Sequence, residues 1–256
     1  MSRSTVFRLL ILESTVDLKD EKERVRKLVW RLMEERGISR FPKPIEGRIP
    51  NFEGAEEAAR KLSQLEEWKR AESVFMNPDS PQRSVRYLAL LHGKKVVMAT
   101  PRLREGFLLL DPREIPSRAY HEASTIAGAF KHGRRIGLDL PKIDMKVTGS
   151  VAVDPRGGRV GKGHGYSDLE YGILGELGAI DSSTPVATTV HDIQVLEEIP
   201  IEEQDMPVSL IVTPTRVIRT GRFGEPRIYW NLITPDIEGS IALLRELKAR
   251  RFSDRD

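Results

Sequence analysis

The sequence predicts an α/β protein with a mostly parallel sheet covered by helices on both faces. Two observations carry that prediction. Short apolar runs of strand character recur along the chain: KKVVMAT (Lys94–Thr100), KVTGSVAVD (Lys146–Asp154), PVATTVH (Pro185–His191) and VSLIVT (Val208–Thr213). Segments of helical character, Ser84–His92, His121–Phe130 and Leu169–Leu177, lie between several of them. Strands that alternate with helices give a parallel sheet buried on both sides.

Each remaining element follows from local pattern. Residues 19–36 place Val25, Leu28, Val29 and Leu32 at i, i+3, i+4, i+7, the spacing of an amphipathic helix with a charged outer face. Gly37 is placed to end it. FPKPIEGRIPNF (Phe41–Phe52) holds three prolines and reads as an extended connector. A second helix is expected over Gly54–Trp68. The last helix starts at Thr234-Pro235, a cap followed by proline in the first turn, and is expected to send Ile237, Ile241 and Leu244 into a core. No internal repeat is present, and one unit over 1–256 is expected, with an N-terminal helical extension over about 19–70.

Composition excludes several chemistries. The 256 residues contain no cysteine, so disulfides, thiolate metal sites and a cysteine nucleophile are ruled out. The 41 basic residues nearly balance the 38 acidic ones, which gives a net charge of only +3. That excess permits an anionic ligand but does not mark bulk nucleic-acid binding. With 8 Phe, 5 Tyr and 3 Trp there is little material for base stacking, so RNA is a possible partner but not the favoured one. No apolar run reaches the ~18–20 residues that span a bilayer. FRLLIL (Phe7–Leu12) is too short for a secretory signal, and a cytoplasmic protein without membrane contact is expected.

Arg156–Tyr171, RGGRVGKGHGYSDLEY, concentrates the chemistry. The chain leaves the strand GSVAVD, turns, and runs through Gly161, Gly163 and Gly165. Ser167-Asp168-Leu169-Glu170 matches a capping box, which predicts a helix beginning just after the last glycine. Such a helix would bury Leu169, Ile173, Leu174 and Leu177. A strand, a glycine loop and a helix N-terminus together aim free backbone N–H groups at an anion. Arg159, Lys162 and His164 would add side-chain donors. The same residues also describe a solvated turn whose cations face water, and the glycines alone do not separate the two. Neither a P-loop (Gly, four residues, Gly-Lys) nor a dinucleotide Gly-x-Gly-x-x-Gly pattern is present.

RVGKGHGYSD resembles the signature of the 5-formyltetrahydrofolate cyclo-ligases (5,10-methenyltetrahydrofolate synthetases), Arg-Leu-Gly-x-Gly-Gly-Gly-Tyr-Tyr-Asp after a strand ending in Asp. Lys22-x-x-x-Arg26, HGKKVVMATP (His92–Pro101) and IPIEEQDMPV (Ile199–Val208) are similar to the family's other landmarks, in order. FPKPIEGRIPNFEGAEEAA, TPRLREGF, GKGHGYSDLEYG, TTVHDIQV and TPTRVI are closer still to the cyclo-ligase-like region of methenyltetrahydrofolate synthetase domain-containing proteins. The resemblance implies a three-layer α/β/α fold like that of ribose-5-phosphate isomerase and CoA-transferase domains. It implies that ATP, with Mg2+, activates the formyl oxygen of 5-formyltetrahydrofolate or a related reduced pterin so that N10 can close the ring. It assigns Lys22 and Arg26 to the ATP phosphates, with Gly161, Gly163, His164 and Gly165 wrapping them beside Arg159. Tyr166 would line the pocket, Lys162 and Asp168 would act on the reacting groups, and Asp168 would hold the magnesium. Asp205 matches the family's C-terminal Asp.

Several positions depart from the pattern, and they leave the nucleotide half better kept than the folate half. A family Gly is His164, the second Tyr is Ser167, and the Arg that follows Asp is Leu169. The stretch Asn77–Leu88 carries no counterpart of the family's substrate-facing Glu. His191-Asp192 closes a strand and reads either as an acid–base pair or as a structural terminus. The alternative function is a non-catalytic nucleotide- or RNA-binding relative.

Overall fold

The computed structural model describes residues 17–253; Phe7–Leu12 lies outside them. Helix α1 (Leu18–Glu35) leads into a two-stranded ladder, β1 (Ser39–Arg40) against β2 (Asn51–Phe52), which closes the proline-rich connector. The helix expected over Gly54–Trp68 is two: α2 (Ala55–Ser63) and α3 (Glu66–Arg70). Then follow β3 (Ser73–Met76), α4 (Arg83–Leu91), β4 (Lys95–Ala99) and β5 (Phe107–Leu110). Next come the short helices α5 (Tyr120–Ala123) and α6 (Ile126–His132), then β6 (Arg134–Ile136) and β7 (Met145–Thr148). The hairpin β8 (Ala152–Val153)–β9 (Arg159–Val160) precedes α7 (Tyr166–Glu176). The chain continues through β10 (Val186–Thr189), β11 (Leu210–Val212), β12 (Val217–Arg219), α8 (Pro235–Ser240) and α9 (Ala242–Ser253).

Eight strands form one sheet in the order β12-β11-β10-β7-β3-β4-β5-β6. The pairs β11-β10, β10-β7, β7-β3 and β3-β4 are parallel, and antiparallel strands complete both edges. Alternating side chains serve opposite faces, as the strand period requires. Val74 and Met76 of β3 join a core with α1, α2 and α4, while Phe75 joins a second core with α7 and α9. This is the expected three-layer α/β/α arrangement.

Two expectations about faces are corrected. In α1 the buried stripe is Lys22, Arg26, Val29, Trp30 and Met33, while Leu28 is exposed. The helix is therefore rotated from its apolar face so that two cations point inward. At the other end the expected long helix breaks at Ile241, which takes extended φ/ψ. Ile241 and Leu244 are fully buried, but Ile237 stays partly exposed and does not enter the core.

Candidate functional site

The chain runs from β3 to β4 in one direction along the sheet and later adds β7 on the other side of β3. The switch point of the sheet thus lies between β3 and β7, where parallel α/β folds leave a crevice beyond the strand ends. Asp79 follows β3, Gly149 follows β7, and the β8–β9 hairpin carries the glycine loop above them. A cavity of about 470 Å³ opens here, lined by Lys22, Arg26, Asp79, residues 159–169, Asp205 and the segment 227–237.

The helix begins just after the last glycine, as expected, but its cap differs. Helix α7 begins at Tyr166, capped by Gly165 in the left-handed conformation (φ 68°), and Gly163 also has positive φ (99°). Both positions suit glycine because a Cβ there would be strained. Ser167 and Glu170 form no capping box. With the helix started earlier, Glu170 faces the sheet and is buried, and Ile173 and Leu174 are fully buried while Leu169 and Leu177 are partly so.

The structure sorts the sequence-derived residues by role. Arg159 is buried; its Nε and Nη2 donate to the Gly149 carbonyl at 3.0 and 2.9 Å, and Nη1 donates to Asp168 Oδ1 at 3.2 Å. It therefore clamps the loop from beneath. Arg26 Nε donates to the Gly161 carbonyl at 2.8 Å, which fixes α1 against the same loop. Lys22 is held by Glu202 at 2.7 Å and by Asp205 at 2.5 Å. Its ammonium hydrogen bond holds Glu202 below the usual carboxylate range, whereas burial pushes Asp205 up despite the same lysine. Lys162 reaches across the crevice to Asp79 Oδ1 at 3.0 Å. Asp168 Oδ1 also accepts the Met206 backbone N–H at 3.1 Å. His164 lies nearly parallel to Tyr166, with ring centroids 6.3 Å apart. Burial, then Lys162, Arg102 and Arg26, push its pKa down, so a neutral imidazole lines the cavity at neutral pH.

Asp79 had no sequence signal beyond sitting in a turn-rich NPDSP stretch. A second missed group lies beneath the loop. Lys146, on β7, is fully buried with its Nζ 3.6 Å from Glu170 Oε2 and 4.1 Å from the Phe75 ring centroid. That Nζ has no hydrogen-bond partner among the described residues. Glu170 accepts a hydrogen bond from Asn77 Nδ2, and Asn77 Oδ1 accepts from Thr148 Oγ1 at 2.8 Å. Burial pushes the Lys146 pKa down and the Glu170 pKa up.

His191 and Asp192 are engaged in hydrogen bonds at the turn after β10. His191 Nδ1 accepts the Ile193 N–H at 3.2 Å, and Gln194 returns a bond to the His191 N–H at 2.8 Å. Asp192 accepts the hydroxyls of Thr213 and Thr215, at 2.9 and 2.7 Å. Neither residue lines the cavity. His191→Ala is expected to cost about 1 kcal/mol through loss of this cap, and to leave ligand binding unchanged. Thermal melts and titration calorimetry on the variant check both halves.

Among the described residues no group of three or more His, Cys, Asp or Glu is placed to hold a metal ion. Magnesium commonly binds through one or two carboxylates plus substrate phosphates. Asp168, on the cavity wall with Oδ1 bonded to Arg159 and Met206, fits that limited protein contribution. No described helix is long and apolar enough to cross a membrane.

The layers and the crevice define a three-layer α/β protein with a cleft at the switch point of its sheet. The profile of the 5-formyltetrahydrofolate cyclo-ligase family matches residues 18–214, and the chain belongs to that family. Methenyltetrahydrofolate synthase domain-containing proteins of Homo sapiens and Bos taurus are 39% and 38% identical over 236 and 234 residues, covering 90% and 89% of this chain. The chain spans about three fifths of these curated relatives, 62% in each case. The Escherichia coli (strain K12) 5-formyltetrahydrofolate cyclo-ligase is 35% identical over 80 residues, 31% of this chain and 41% of that protein. The NMR structure of Aquifex aeolicus 5,10-methenyltetrahydrofolate synthetase shares the fold, with a TM-score of 0.51 at 19% identity over 83% of this chain and 99% of that one.

Proposed function

We propose that the protein is an ATP- and magnesium-dependent cyclo-ligase that converts 5-formyltetrahydrofolate, or a related reduced pterin, to the 5,10-methenyl form with release of ADP and phosphate. The observation that carries this reading is the cleft itself. A positive-φ glycine loop, clamped by Arg26 and Arg159, stands beside Lys162, Asp79 and Asp168 at the switch point of the sheet.

ATP supplies the phosphoryl group that turns the formyl oxygen into a leaving group, and magnesium offsets triphosphate charge. The residues of the chain do the rest by positioning and electrostatics, which carry most of the catalysis in phosphoryl transfer. Backbone N–H groups of Gly161–Gly165 and the Lys162 ammonium would receive phosphate oxygens. Asp168, bonded to Arg159 and the Met206 N–H, would keep one carboxylate edge in place for magnesium. Asp79 would set the position of Lys162.

The test is purified protein with ATP, magnesium and 5-formyltetrahydrofolate, followed by the absorbance of the methenyl product. Product that depends on ATP supports the reading, and its absence from folded protein refutes it. One observation favours the alternative of a nucleotide-binding relative without turnover: Lys22 is already neutralised by Glu202 and Asp205. ATP binding without product in the same preparation would establish that alternative.

A further inference from the structure

The family match ends at residue 214, yet the wall of the cleft is completed by residues 227–237. This strap is seated on α7 by two glycines. A Cβ on Gly172 would lie 2.5 Å from the Arg227 carbonyl oxygen, and one on Gly175 would lie 1.8 Å from that of Pro226. Only bare backbone permits so close an approach. Hydrogen bonds hold the strap on both sides: Tyr171 Oη donates to the Gly224 carbonyl at 2.7 Å and Tyr229 Oη to the Glu203 carbonyl at 2.9 Å.

What the strap presents to the cavity is chemically unlike the loop. Ile228, Leu232, Ile233 and Ile237 line it beside Leu169 of α7, and Leu232 and Ile237 are 46% and 36% exposed. Gly172 lies seven residues beyond Gly165, so the strap crosses α7 roughly 10 Å along the helix axis from the loop. One cavity therefore joins a cationic, glycine-rich region to an apolar wall, as an anionic ligand with one flat apolar part requires.

We infer that the strap is the subsite for the purine ring of the nucleotide whose phosphates occupy the glycine loop. This rests on the nucleotide reading of that loop. The purine is chosen because it is joined covalently to the phosphates, through a ribose that spans the gap between loop and strap. Leu232, Ile233 and Ile237 are thus specificity-determining residues contributed from outside the family match.

The experiment compares ATP with inorganic tripolyphosphate by titration calorimetry, on the wild type and on Leu232→Ser combined with Ile237→Ser. Both positions are partly exposed, so the variant keeps its core, and a thermal melt checks the fold. The expected result is roughly ten-fold weaker ATP binding with tripolyphosphate binding unchanged. Unchanged ATP affinity overturns the subsite. An equal loss for both ligands also overturns it, since the strap would then only support the loop. With 5-formyltetrahydrofolate titrated in parallel, a loss confined to it overturns the purine assignment in favour of the pterin ring. If the wild type binds tripolyphosphate as tightly as ATP, the subsite falls while the cradle stands. If it binds neither, the nucleotide reading of the function falls first.

Discussion

Lys146→Met alone is expected to destabilise the protein by about 3–5 kcal/mol, whereas Lys146→Met with Glu170→Gln should fall within about 1 kcal/mol of the wild type. The two side chains are 0% and 5% exposed, and their charged atoms lie 3.6 Å apart. Removing the lysine leaves the buried Glu170 carboxyl without the ammonium that faces it. Removing both charges keeps an acceptor for Asn77 Nδ2 in the glutamine and lets methionine pack on the Phe75 ring. Urea unfolding of all four combinations measures the coupling; strictly additive losses would refute it. The single variant should also carry a pH signature. Burial raises the Glu170 pKa, so between the unfolded and folded values the folded state binds a proton that the unfolded chain releases. A folded-state pKa above the unfolded value makes stability fall as pH rises. The Lys146→Met variant should therefore be most stable near or below the usual carboxylate range. It should lose stability as pH climbs through the raised value, and the double variant should not.

That buried pair also shows where the sequence stopped being legible. Glu170 sits three residues after Ser167, and Ser-x-x-Glu ahead of an apolar run is the pattern of a capping box. Gly165 in the left-handed conformation makes the box unnecessary, because the glycine turns the chain into the helix before Ser167 arrives. The helix was legible, and its register was not. Strands β4, β7, β10 and β11 were legible from their apolar runs, but β3, SVFM, is four residues buried on both faces and has no alternation to give it away. Its turn carries Asp79, so missing the strand meant missing the residue that receives Lys162. The cations of α1 were visible as an i, i+4 pair. Their burial was not, because Val25, Leu28, Val29 and Leu32 describe a neighbouring stripe. Family resemblance placed Lys22 and Arg26 at the phosphates. The structure makes Arg26 a brace for the glycine loop and gives Lys22 two carboxylate partners.

If the chain carries out the proposed cyclo-ligase reaction, Lys162→Ala is expected to lower turnover by roughly 100- to 1,000-fold, the range seen when one preorganised donor to a developing charge is removed. Among the loop's cations Arg159 is spent on Gly149 and Asp168, while Arg26 is spent on Gly161 and Glu23. Lys162 differs: among the described residues it bonds only to Asp79, is more exposed than either arginine, and lines the cavity. A triphosphate can draw it from that single carboxylate, since charge-assisted bonds to phosphate are stronger than neutral ones. Asp79→Asn separates this role from a purely structural ion pair. Removing that carboxylate takes one negative charge from the cleft and releases the ammonium, so tripolyphosphate affinity should rise several-fold. Lys162→Ala should lower it, and the loss should shrink at high salt as the charge is screened. Turnover should fall in both variants, because Asp79 orients the ammonium that the reacting phosphate needs. If both substitutions weaken tripolyphosphate equally and shift the melting temperature alike, the pair merely pins the loop to the end of β3. Opposite signs on binding with a shared loss of turnover identify Lys162 as the phosphate ligand and Asp79 as the group that aims it.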